Sequence, residues 1–136
     1  MKIIFLIGKK NCGKTTTMLQ LYDLLTNSMK NKPVKNKLTR KDFHCEFIYK
    51  KRRVAIFSAG DTLGLILSAI FKYSEADYLI LPFSEGGRHK AKILADFKKN
   101  KQHTSINKVV CKMGTNKAAI TIANANDCKK INNAIK

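Results

Sequence analysis

Apolar residues recur along the chain in two periods, and their alternation sets out the elements. Residues 2–7, KIIFLI, form a continuous apolar, β-branched run closed by Gly8, the pattern of a strand buried on both faces. From Lys14 to about Asn27, Met18, Leu21, Tyr22 and Leu25 fall at spacings of three and four, which predicts an amphipathic helix. Two β-rich runs, FHCEFIY from Phe43 and RVAIFSAGD from Arg53, are separated only by KKR and predict an antiparallel hairpin. Leu63, Ile66, Leu67, Ile70 and Phe71 then mark one face of a helix over roughly Thr62–Tyr73, with Asp61 as its N-cap. YLIL at 78–81 is the next buried strand, and SEGGRH is a glycine-rich turn into a helix ending near Lys99. A strand near Ile106–Cys111, an edge strand AAITIA and a short helix from Asn126 complete the pattern.

Alternating strands and helices predict one α/β domain over 1–136, a sandwich around a mostly parallel sheet with one antiparallel hairpin. Ligands of such sheets bind at the carboxyl ends of the strands. Residues 28–42, SMKNKPVKNKLTRKD, hold six basic residues and no sustained periodicity, and read as a mobile basic loop.

Composition changes the picture in one respect. Lys and Arg number 27 against 9 Asp and Glu, a formal charge of +18, which attracts nucleic acid, acidic membrane surfaces, acidic proteins or phosphate ligands. Blocks of lysine are also commonly plain solvated surface, and abundant Lys, Asn and Ile fit a genome biased toward A and T. The four cysteines are far apart without a CxxC pair, which argues against a zinc site or a disulfide framework. No apolar run reaches the roughly 18 residues of a membrane span, and the first residues lack a signal-peptide cleavage pattern. A cytoplasmic protein is expected, its oligomeric state open.

The stretch GKKNCGKTTT carries the most specific chemistry. Gly8, four intervening residues that include Asn11 and Cys12, then Gly13, Lys14 and Thr15 fill every fixed position of GxxxxGK[ST], between a predicted strand and a predicted helix. Glycines let the backbone N–H groups approach phosphate oxygens, and a helix starting near Lys14 directs its positive dipole end there. Lys14 would reach the β and γ phosphates, Thr15 would offer its hydroxyl to Mg²⁺, and Thr16 would donate to an α-phosphate. On these residues the chain resembles the P-loop NTPases over residues 2–27. The resemblance implies the three-layer P-loop sandwich, a nucleoside triphosphate and Mg²⁺.

Such proteins place a metal-side acid at the end of a neighbouring strand. The expected strand is RVAIF, followed by SAGDTLG: the first acid is Asp61, with Ser58 as a fallback hydroxyl, and Asp61 with Gly64 resembles the DxxG of small GTPases, though displaced. The strand arrangement also resembles that GTPase branch. Its guanine-reading NKxD is incomplete, because TNKAA supplies Asn116 and Lys117 but Ala119 in place of the acid, so ATP is favoured over GTP. In FSEGGRHK, Glu85 is a candidate to position water or accept a proton, and Arg88 to stabilise charge on the transferring phosphoryl group. His44, His89 and His103 are scattered and form no metal motif.

The leading expectation is a small Mg²⁺-dependent NTPase or nucleotide-dependent switch that binds ATP or another NTP, with Lys14, Asp61, Glu85 and Arg88 as its catalytic candidates. Two others stay open: a small-molecule or nucleotide kinase, and a nucleic-acid-associated module docking through Lys30, Lys32, Lys35, Lys37, Arg40 and Lys41.

Overall fold

The fold was derived from a computed structural model, which describes residues 1–9, 12–39, 41–60, 62–85, 91–92, 95–96, 99, 103–108 and 117–136. Six strands form one sheet: β1 (Lys2–Gly8), β2 (Asn36–Lys37), β3 (Phe43–Tyr49), β4 (Arg52–Phe57), β5 (Tyr78–Ser84) and β6 (His103–Asn107). The helices with described bounds are α1 (Lys14–Thr26), α2 (Leu63–Lys72) and α3 (Lys117–Ala134). Residues 91, 92, 95, 96 and 99 are also helical, in the region where a helix through Lys99 is expected.

The sheet is mixed, in the order β2-β3-β4-β5-β1-β6. β1 is parallel to β5 and β6, and β4 is parallel to β5, while β2-β3 and β3-β4 are antiparallel. The predicted hairpin is therefore present. Its loop is only Lys50 and Lys51, because Arg52 already pairs with Tyr49.

Each face of the sheet has its own core. On one face Ile4, Leu6, Val54, Ile56 and Ile80 meet Met18, Leu21, Tyr22 and Leu25 of α1 and Cys128 and Ile131 of α3. On the other, Ile3, Phe5, Leu79 and Leu81 meet Ile66 and Ala69 of α2. Residues alternating along β1 thus feed both layers, which is why KIIFLI is apolar without interruption. Full burial of each such side chain contributes about 1.5–3 kcal/mol.

Several expectations are corrected. AAITIA is part of α3 and not an edge strand, and the final helix begins at Lys117 instead of Asn126. The strand expected at 106–111 begins earlier, at His103, and ends at Asn107. The segment 28–42 is not wholly irregular, since β2 pairs with His44 and Phe43. The cap of α2 is Thr62, whose hydroxyl accepts from the Leu65 N–H at 3.2 Å. On that helix Ile66 and Ala69 are buried, whereas Leu67 and Phe71 are 52% and 86% exposed. Most important for the site, RVAIF is not the neighbour of β1: β5 lies between β4 and β1.

Candidate functional site

Parallel strands β4, β5, β1 and β6 all end at one edge of the sheet, and antiparallel β3 begins there. In spatial order that edge carries Asp42 before β3, Ser58 after β4, Ser84 and Glu85 at the end of β5, Gly8 at the end of β1 and Lys108 after β6. Backbone hydrogen bonds tie these ends together: Glu85 N–H donates to the Gly8 carbonyl at 2.9 Å, and Lys108 N–H to Ile7 at 2.7 Å.

Gly8, Cys12 and Lys108 are packed closely together at the end of β1. A side-chain carbon at Gly8 would stand 2.6 Å from Cys12 Sγ and 2.9 Å from Lys108 Cβ. Gly13 is the N-cap of α1 with φ of 93°, a left-handed conformation open to glycine at little cost. Lys14, only 7% exposed, folds back so that Nζ donates to the Lys9 carbonyl at 2.6 Å and the Gly8 carbonyl at 3.3 Å, with Cys12 Sγ at 3.8 Å. Its charge is thereby held against the backbone of Gly8 and Lys9. Thr16 is exposed and Thr15 half-buried on the first turn. Asn11 lies outside the described residues.

Beside Thr15 stands a residue that the sequence does not single out. Thr15 Oγ1 donates to Asp42 Oδ1 at 3.3 Å, and Ser58 Oγ donates to the same oxygen at 3.1 Å. Ser58 is itself fixed, its hydroxyl accepting from the Phe43 N–H at 2.8 Å and its N–H donating to the Phe43 carbonyl at 2.9 Å. The other carboxylate oxygen accepts from Thr39 Oγ1 at 3.2 Å. The hairpin register held the signal for Asp42: His44 pairs with Phe57, so Phe43 falls opposite Ser58, and Asp42 is the next residue at this edge of the sheet.

The floor beneath the loop comes from α3 and β6. Thr17, fully buried, donates to the Gly13 carbonyl at 2.9 Å and lies 3.2 Å from the side-chain amide of Asn124. Cys128 Sγ donates to the Thr17 carbonyl at 3.3 Å. Lys108 and Asp127, at 1% and 0% side-chain exposure, form an ion pair of 2.8 Å. Neither of these pairings is legible in the sequence, because Asn124, Asp127 and Lys108 look like surface residues until α3 is packed on α1 and β6.

The remaining candidates divide. Glu85 is exposed and adjoins Gly8 through the backbone. Asp61, Arg88, His89 and Asn116 lie outside the described residues. Lys117 and Ala119 are in the first turn of α3. His44 is bonded to the Tyr73 hydroxyl and stacked on Phe57, and burial lowers its pKa, with Lys72 adding to the shift. It lines an open groove with Pro33, Val34, Glu46 and Tyr73, among which no residue of the loop appears. Among the described residues no cluster of three His, Cys, Asp or Glu side chains is placed to hold a metal, and no helix is long and apolar enough to cross a membrane. Comparison with protein families, curated proteins and solved structures finds no match to this chain.

Proposed function

We propose that residues 8–16 hold the phosphates of a nucleoside triphosphate with Mg²⁺, and that the chain is a small NTPase or nucleotide-dependent switch of the P-loop kind. The observation that carries this reading is Lys14, a residue only 7% exposed whose ammonium donates to the carbonyls of Gly8 and Lys9 at the start of a helix with a left-handed glycine as N-cap. Exchange of those carbonyls for phosphate oxygens places a cation against β and γ charge, and the N-terminus of α1 adds its dipole.

Mg²⁺ prefers hard oxygen donors, and the Thr15 hydroxyl is one that would hold it, its own proton accepted by the Asp42 carboxylate. Bound there, the cation supplies charge neutralisation at the β and γ oxygens. Glu85, exposed at the end of the strand beside β1, is the group suited to orient water or take its proton. With Ala119 where a guanine-reading acid would stand, ATP is favoured over GTP.

The test is thermal unfolding with ATP, GTP, CTP and UTP, each with and without Mg²⁺. ATP with Mg²⁺ raises the stability by about 2.7 kcal/mol when free ligand is 100 times its Kd. Lys14→Ala removes the shift while circular dichroism stays native. Absence of a shift with all four nucleotides would overturn the reading, and phosphate release against transfer to an added acceptor separates hydrolase from kinase.

A further inference from the structure

We propose that Asp42 is the carboxylate of the metal site, acting through Thr15, and that Ser58 holds it in position. The proposal rests on the nucleotide reading above and assigns within it a role that the sequence pattern gives to Asp61.

The chemistry follows from who donates to whom. A threonine hydroxyl that binds a divalent cation does so through an oxygen lone pair, so its proton needs an acceptor elsewhere. Thr15 gives its proton to Asp42 Oδ1 at 3.3 Å, which leaves the Thr15 lone pairs for a ligand. Ser58 cannot use its hydroxyl proton toward Phe43, because there it accepts from the N–H at 2.8 Å. Its proton therefore goes to Asp42 Oδ1 at 3.1 Å, fixing the carboxylate from the β4 side. Thr39 fixes the other oxygen at 3.2 Å.

Three hydroxyls, of Thr15, Thr39 and Ser58, thus converge on the carboxylate of half-buried Asp42. In a chain with nine acids and 27 basic residues, an anion fixed against Thr15, the residue after Lys14, has a local purpose: it adds the negative charge that a cation needs among so many lysines. Its place at the start of an antiparallel strand is what lets it reach the ligand edge from residue 42. Asp42 is in these terms a positioning residue, one that sets the affinity of the cation and not the grip on phosphate.

The experiment separates those two quantities. Affinity for a non-hydrolysable ATP analogue is measured by calorimetry in EDTA, then along a Mg²⁺ titration, for the wild type, Asp42→Asn, Ser58→Ala, Lys14→Ala and, as a control, Asp23→Asn on the exposed face of α1. Asp42→Asn is expected to weaken the apparent Mg²⁺ affinity roughly 10- to 100-fold, the usual cost of losing a partner behind a metal ligand, with nucleotide affinity in EDTA within about twofold of the wild type. Ser58→Ala shifts Mg²⁺ dependence in the same direction by a smaller factor, and it carries the test if Asp42→Asn does not fold. Lys14→Ala weakens binding in both conditions, and Asp23→Asn in neither.

Wild-type Mg²⁺ dependence in Asp42→Asn would overturn the proposal and leave the nucleotide reading standing. Equal loss in EDTA and in Mg²⁺ would also overturn it, since Asp42 would then only hold the loop together. A wild type that binds the analogue in neither condition would remove the nucleotide reading and this proposal with it.

Discussion

Each residue of the loop experiences a different environment, and thiol chemistry reads those differences directly. Cys12 is half-buried with Lys14 Nζ at 3.8 Å, whereas Cys45 and Cys128 are buried and burial pushes their thiols up to about 12 and about 11. Only the thiolate is alkylated, so at pH 8 the two buried cysteines stay almost wholly unreactive in the native protein. Iodoacetamide followed by peptide mass mapping is therefore expected to modify Cys12 before Cys45 and Cys128, and ATP with Mg²⁺ to slow that modification. Equal labelling of Cys12 with and without nucleotide would count against the loop as the phosphate site. The roles proposed for Gly8, Gly13, Lys14 and Thr15 come from spacing within one short segment, which the sequence displays directly. Asp42 is not, because its partners are 27 and 16 residues away and its meaning comes from strand pairing.

At the scale of elements, the β3-β4 hairpin shows a local choice that conflicts with the fold. Its two-residue loop needs left-handed backbone at both positions, and Lys50 and Lys51 adopt φ of 51° and 64°. A side chain other than glycine pays about 1–2 kcal/mol for each such residue, with asparagine among the least affected. Replacing the pair by Asn-Gly is expected to stabilise the protein by roughly 1–2 kcal/mol in urea unfolding, with no change in nucleotide affinity. Unchanged stability would show that the turn carries no such strain. The element boundaries that differ from expectation do so for a related reason. AAITIA, read alone, has the composition of a strand, but Ala123, Asn124, Asp127, Cys128 and Ile131 make a helical buried stripe that continues it. Two of those five are polar, so the apolar pattern by itself understates the helix. In α2 the apolar stripe is wider than the sheet can cover, and Leu67 and Phe71 stay outside the core.

Across the whole molecule, the ion pair between Lys108 and Asp127 joins the end of β6 to α3 beneath the loop. Both side chains are out of solvent, so removing one takes from a buried charge its oppositely charged neighbour at 2.8 Å. Asp127→Ala is expected to cost about 3–5 kcal/mol in urea unfolding, and Lys108→Met with Asp127→Leu to recover most of it. A loss below about 1 kcal/mol, the range of exposed pairs, would mean that water reaches the pair. Strand order belongs to the same scale. The hairpin is legible from its two β-rich runs, but whether β4 or β5 flanks β1 depends on how long connections cross the sheet, which no local pattern encodes. That placement brings Glu85 beside Gly8 and leaves β4 one strand further away. The sequence by itself determined the α/β class, the buried β1, the amphipathic face of α1 and the glycine-lysine-threonine loop between them, since periodicity and short-range spacing record those directly. Tertiary structure alone decided the strand order, the floor of Asn124, Lys108 and Asp127, and the meeting of Thr15, Asp42 and Ser58. Those depend on which distant segments share one edge of the sheet, and a polar residue looks the same in sequence whether water or a buried partner satisfies it.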